Sequence, residues 1–228
     1  MARVLKTNDI DAQDRERGAT TLHIACESGA TKIVKALVRR NADVYVRDKE
    51  GRTCLHGAVK RRQHGAVKAL LKSSAAASGD LVNVEDYQGR TPMHLAAEGG
   101  DMKMLFRLLR AGARTDVRER AWAFLPIHFA ACNGHTDVVR WLIDHAGQNV
   151  HAESHAGRQP LELSDGFGWD AVSEMLRRQI VGEPLHLLEL PVAQAQPQRQ
   201  PPIGLAPGDE VALAVPVPVT GAEDPADP

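Results

Sequence analysis

Four of the ten histidines in this 228-residue chain, His23, His56, His94 and His128, recur at one position of a repeated tetrapeptide. Near neutral pH an imidazole can act as a general acid or base, or ligate a metal. The spacing argues against a shared metal. Successive histidines are 33, 38 and 34 residues apart. Stacked units of that length would set them roughly 10 Å apart, whereas zinc ligands stand about 2.0–2.1 Å from the ion. His151 and His155 are neighbours, but no Cys or carboxylate pattern supports them as ligands. The three cysteines, Cys26, Cys54 and Cys132, form no C-x-x-C pair, and no base is set beside Cys132. The chain has no G-x-S-x-G elbow, no phosphate-binding loop and no H-E-x-x-H helix. These patterns predict no catalytic residue, no metal site and no cofactor.

The histidines belong to larger elements. In Gly89–Gly112, Thr91 can cap a helix and Pro92 sits in its first turn, where a missing N–H costs nothing. Leu95, Ala96 and Ala97 give that helix a narrow apolar face. Gly99 and Gly100 turn the chain. Met104, Leu105, Leu108 and Leu109 then recur at helical spacing, and Gly112 suits the left-handed residue after a helix. Such a helix–turn–helix hairpin is too small to bury its own apolar faces and needs neighbours of the same kind.

The neighbours are present. Thr20-Thr21-Leu22-His23, Thr53-Cys54-Leu55-His56, Thr91-Pro92-Met93-His94, Leu125-Pro126-Ile127-His128 and a degenerate Gln159-Pro160-Leu161-Glu162 step by 33, 38, 34 and 34 residues. Each is followed by a second apolar helical run, as in Val67–Leu71 and Val138–Ile143. The pattern resembles the ankyrin repeat, with its T-P-L-H-x-A signature and period of 33. The resemblance covers roughly residues 8–182. It implies a mainly α solenoid of stacked helix–turn–helix units joined by β-hairpin fingers, and a histidine that hydrogen-bonds between adjacent turns. Repeats are placed near 18–50, 51–86, 89–120, 125–154 and 157–180, within a domain of residues 18–182. Residues 1–17 read as a partial N-terminal cap. That end is expected either to be covered by its short leading segment or to dock another chain.

Two places depart from the family pattern. The second repeat carries an extension, Lys72–Gly79, of small and polar residues, which reads as a loop. Before the fourth, Ala121-Trp122-Ala123-Phe124-Leu125 replaces the usual D-x-x-G-x-T, so the turn lacks its glycine and gains two aromatics. Trp122 and Phe124 either pack under this turn or stand out as anchors. Beyond Gly182 ten of the thirteen prolines occur, and residues 183–228 are expected to be a largely disordered tail.

A net charge of −1 gives no expectation of nucleic-acid or membrane partners. An odd number of cysteines without a pairing pattern points to reduced thiols. Residues 1–10 lack the apolar run of a signal peptide. An intracellular protein, cytoplasmic or nuclear, is expected. The family resemblance implies a non-enzymatic scaffold or adaptor whose concave groove holds a partner protein. Carried over position by position, that groove offers Arg52, Tyr87, Arg90, Trp122, Phe124, His155 and Arg158 at the turns. Lys60, Arg61, Glu98 and Asn133 follow at the first-helix ends. Arg52, Lys60, Arg61 and Arg90 suggest a positive patch for an acidic peptide or helix. A monomer is expected. The alternative is nucleic-acid association through the basic residues of the second and third repeats.

Overall fold

The Thr-x-x-His tetrapeptides start helices because the threonine caps and the histidine folds back onto the cap. The computed structural model describes residues 9–73 and 80–181. The leading segment Met1–Lys6, most of the extension after Lys72 and the proline-rich tail lie outside those residues. The described residues contain five helix pairs. They are α1 (Thr21–Glu27) with α2 (Thr31–Arg39), α3 (Cys54–Lys60) with α4 (His64–Leu71), and α5 (Pro92–Glu98) with α6 (Met102–Arg110). The last two are α7 (Pro126–Cys132) with α8 (Thr136–Ala146), and α9 (Pro160–Gly166) with α10 (Asp170–Val181). A 3-10 turn, Leu81–Asn83, precedes the third pair.

Helices of seven residues are not stable alone, so packing must hold them. The first helices form one row, α1 on α3, α3 on α5, α5 on α7 and α7 on α9. In the second row α2 packs on α4, α6 on α8 and α8 on α10. One column of fully buried side chains, Leu22, Leu55, Met93 and Ile127, runs along the first row. Another, Leu70, Leu108, Leu142 and Leu176, runs along the second. In α9 the small position is Ser164, whose hydroxyl meets that of Ser173 at 2.8 Å, so a hydrogen bond joins the last pair where others use alanine.

The connectors close as tight hairpin turns: the N–H groups of Asp48, Asp86 and Ser154 donate across the tip to the carbonyls of Arg52, Arg90 and Arg158 at 2.9, 2.9 and 3.0 Å. Among the described residues they are turns, and one isolated β-bridge joins Gln13 to Thr20. Within each tip a side chain takes further N–H groups, as Asp48 takes those of Glu50 and Arg52, so the main-chain bonds stay few.

The recurring histidines join the pairs. Nδ1 of His23, His56, His94 and His128 accepts the backbone N–H of Thr20, Thr53, Thr91 and Leu125 at 3.2, 3.1, 3.1 and 3.0 Å. A nitrogen that accepts carries no proton, so Nε2 holds it. Nε2 of His23, His56 and His94 then donates onward to the carbonyls of Arg52, Arg90 and Phe124, each at 3.2 Å, and that of His128 to the Ala152 carbonyl in the connector after α8 at 3.0 Å. A second proton would sit on Nδ1, facing an N–H. Burial pushes His56, His94 and His128 down to about 4, and lowers His23.

Stability should therefore depend on pH in a defined window. The unfolded histidines titrate near 6.5 and three of the folded ones at about 4. Between those values the unfolded chain binds more protons, so stability falls as pH drops. The limiting slope is about 1.4 kcal/mol per pH unit for each histidine. The acids whose pKa is lowered, such as Asp14 and Asp48, start from 3.8 and act below this window. Urea midpoints measured from pH 7 to 5 should decline steadily; a flat series would contradict the neutral, buried row.

Candidate interaction face

At every connector one side chain gathers the turn. Asp14 accepts the N–H groups of Arg17, Gly18 and Ala19. Asp48 Oδ1 accepts those of Glu50 and Arg52, both at 2.9 Å. Asp86 Oδ1 accepts those of Gln88 and Arg90 at 3.0 and 2.9 Å. The other oxygen takes an arginine: Arg52 Nε donates to Asp48 Oδ2 at 2.9 Å and Arg90 Nε to Asp86 Oδ2 at 3.1 Å. Burial alone would raise the Asp48 carboxyl. The N–H groups and the Arg52 guanidinium outweigh it and leave the group below its ordinary value.

This arrangement bears on the expected positive patch. The side chains of Arg52 and Arg90 are only 14% and 15% exposed, and each is neutralised by a buried carboxylate; Arg52 also pairs with Glu50. The structure does not bring them together with Lys60 and Arg61 as four free cations. In the fifth turn Ser154 stands where the aspartates do. Its hydroxyl accepts the Arg158 N–H at 3.1 Å, but it offers no carboxylate. Arg158 is exposed and has no ion-pair partner among the described residues.

The fourth turn is longer, and a longer acid spans it. Glu119 accepts the N–H groups of Ala121, Trp122 and Phe124 through its two oxygens. Ala123 takes the left-handed conformation, φ +56°, that glycine supplies in the other turns. The aromatics divide. Phe124 is buried, stacks on His128 with ring centroids 5.1 Å apart, and meets Phe129 edge-on. It packs beneath the turn and is not an accessible anchor. Trp122 is 40% exposed.

Main-chain bonds string the turns into a row. The N–H groups of Lys49, Tyr87, Arg120 and His155 donate to the carbonyls of Arg17, Glu50, Gln88 and Trp122 at 2.9, 3.0, 2.8 and 2.8 Å. Tyr87, 60% exposed, Trp122 and exposed His155 thus project from consecutive turns. At the first-helix ends Lys60 and Arg61 are exposed, while Glu98 and Asn133 are half-buried. The Glu98 carbonyl accepts His135 Nε2 at 2.9 Å, and Asn133 Nδ2 donates to Phe129 O at 2.8 Å. The Cys132 carbonyl accepts Trp169 Nε1 at 2.7 Å. Burial raises the Cys132 thiol to about 12, which leaves almost no thiolate.

One buried residue escaped the sequence reading. Leu125 has no hydroxyl to cap α7. Gln148, from the connector after α8, fills the gap: its Oε1 accepts the Ile127 N–H at 2.9 Å and its amide donates to the Thr115 carbonyl. A leucine in the threonine position shows that a cap is missing, but not which residue replaces it. Among the described residues no three His, Cys, Asp or Glu side chains converge to hold a metal, and no helix is long and apolar enough to cross a membrane.

A family model described as ankyrin repeats (3 copies) matches residues 1–81, 41–119 and 75–154. The chain belongs to the ankyrin-repeat family. This ankyrin chain is 30% identical over 164 residues to the mouse B-cell lymphoma 3 protein homolog, covering 72% of itself and 36% of that relative. It is 33% identical over 153 residues to the putative ankyrin repeat protein FPV014 of fowlpox virus, covering 67% and 33%. To the probable 26S proteasome regulatory subunit p28 of Saccharomyces cerevisiae it is 28% identical over 158 residues, covering 68% and 67%. The ankyrin chain spans about a third of the mouse and viral relatives' length.

The fourth turn yields a test. A left-handed Ala costs about 1 kcal/mol relative to glycine. Ala123→Gly should therefore raise the urea midpoint by an amount equal to about 1 kcal/mol. An unchanged or lower midpoint would show that the turn carries no such strain.

Proposed function

We propose that this ankyrin-repeat chain is a non-enzymatic protein-interaction module that holds a partner polypeptide across its turn tips and first-helix ends. The observation that carries this reading is a contrast. Most polar groups of the turns are consumed within the stack, as at Asp48–Arg52, Asp86–Arg90 and Glu119. Tyr87, Trp122, Lys60, Arg61 and Arg158 are left facing solvent. Exposed Tyr, Trp and Arg held on a rigid scaffold are the types that dominate protein interfaces. The relatives support the class: the yeast protein carries the name of a proteasome regulatory subunit, and a 29% identical relative over 157 residues is the NF-kappa-B inhibitor cactus of Drosophila yakuba.

The partner surface we infer has apolar contacts for Tyr87 and Trp122 and an acidic flank for Lys60, Arg61 and Arg158. An acidic peptide or helix remains the first to test, with fewer free cations than the sequence suggested. The same pairing of Arg52 and Arg90 weakens the nucleic-acid alternative, which drew on those residues. Buried unpaired Cys26 and Cys54 fit a reducing, intracellular compartment.

Affinity capture from lysate followed by mass spectrometry tests this reading. Tyr87→Ala with Trp122→Ala should lower recovery of the specific partner about tenfold or more, with helical circular dichroism unchanged. Full recovery with the double variant would remove this face from the interaction.

A further inference from the structure

The second helices of the first three pairs contain no carboxylate. α2 reads TKIVKALVR, α4 HGAVKALL and α6 MKMLFRLLR. The later ones are mixed, with Asp137 and Asp144 in α8 and Asp170 and Glu174 in α10. Between α2 and α4 runs a groove of about 640 Å³. Lys35 and Arg39, one turn apart on α2, line it with Lys68 of α4 and Lys72 just beyond that helix. Among the described residues no acidic side chain contributes to the lining. None of the four cations has a carboxylate within ion-pair distance among the described residues. They differ in this from Arg52 and Arg90, whose charge is met inside the fold.

The groove also has an apolar part. Val38 and Ala69, both half-buried, line it along with the cations. Gly65 lets the two helices approach closely, since a Cβ there would meet Thr31 Oγ1 at 2.5 Å. Four cations with no carboxylate partner among the described residues, beside small apolar side chains, match carboxylates flanking an apolar residue. A bare phosphate ligand would use the cations and leave the Val38 and Ala69 surface wet.

We propose that the groove between α2 and α4 is a second binding site, which takes an acidic peptide segment of a partner protein with an apolar side chain seated between its carboxylates. It lies on the second-helix row and is independent of the turn-tip face, so the two can fail separately.

Fluorescence anisotropy of the full chain with a labelled peptide alternating Glu and Leu tests the site. Saturable binding is expected. Lys35→Glu with Lys68→Glu, both exposed positions, should weaken it about tenfold or more. Arg15→Glu with Arg114→Glu changes net charge equally at exposed turns and should bind like the parent. Replacing Leu by Ser in the peptide should also weaken binding. Equal loss in both variants would reduce the effect to net charge and overturn the proposal, as would an indifference to Leu. Absence of saturable binding, or tighter binding of labelled duplex DNA or anionic lipid vesicles than of the peptide, would overturn it as well.

Discussion

The structure depends on an imidazole that must stay uncharged. Each recurring histidine accepts a main-chain N–H at the start of its own helix, and His23, His56 and His94 donate to a carbonyl at the start of the following pair. The bond on one side fixes the proton on the other, so direction along the stack is built into the tautomer. Burial does the rest by disfavouring the charged ring. Seven-residue helices cannot persist alone. A bridge that is satisfied only when the neighbouring unit is in place makes the units interdependent, in the manner of repeat arrays whose stability lies in nearest-neighbour interfaces.

The same accounting of polar groups separates structural from available residues. Asp48 and Asp86 gather their turns and hold Arg52 and Arg90. Ser154 gathers its turn without a carboxylate, which frees Arg158. Phe124 stacks on His128 below the chain, while Trp122, two residues earlier, faces solvent. Similar residue types in equivalent turns thus have different roles, set by whether a partner within the fold reaches them. Recognition is left to what the stack does not consume.

Much of the fold was legible in the sequence because it rests on short-range repetition. The tetrapeptide, the glycine turns and the helical spacing of apolar residues all fall within one unit, and their recurrence implies stacking. The site was less legible because it depends on pairing across turns. Asp four residues before Arg, with glycine between, occurs at Asp48–Arg52 and Asp86–Arg90 and signals the ion pair in retrospect. Glu119 reaching over an enlarged turn, and Gln148 capping a helix 21 residues earlier, leave no local signature. The charge of the α2–α4 groove appears only when residues 33 apart in sequence are set side by side.

The imidazole row can be observed directly. Two-bond nitrogen–proton correlation spectra of the uniformly nitrogen-15-labelled chain report the tautomer and charge of each histidine. His23, His56, His94 and His128 should show neutral rings protonated on Nε2 at neutral pH, and the last three should hold that state to about pH 5, above their shifted values of about 4. Rings protonated on Nδ1, or charged rings near neutrality in the folded chain, would contradict the bridge on which the stack depends.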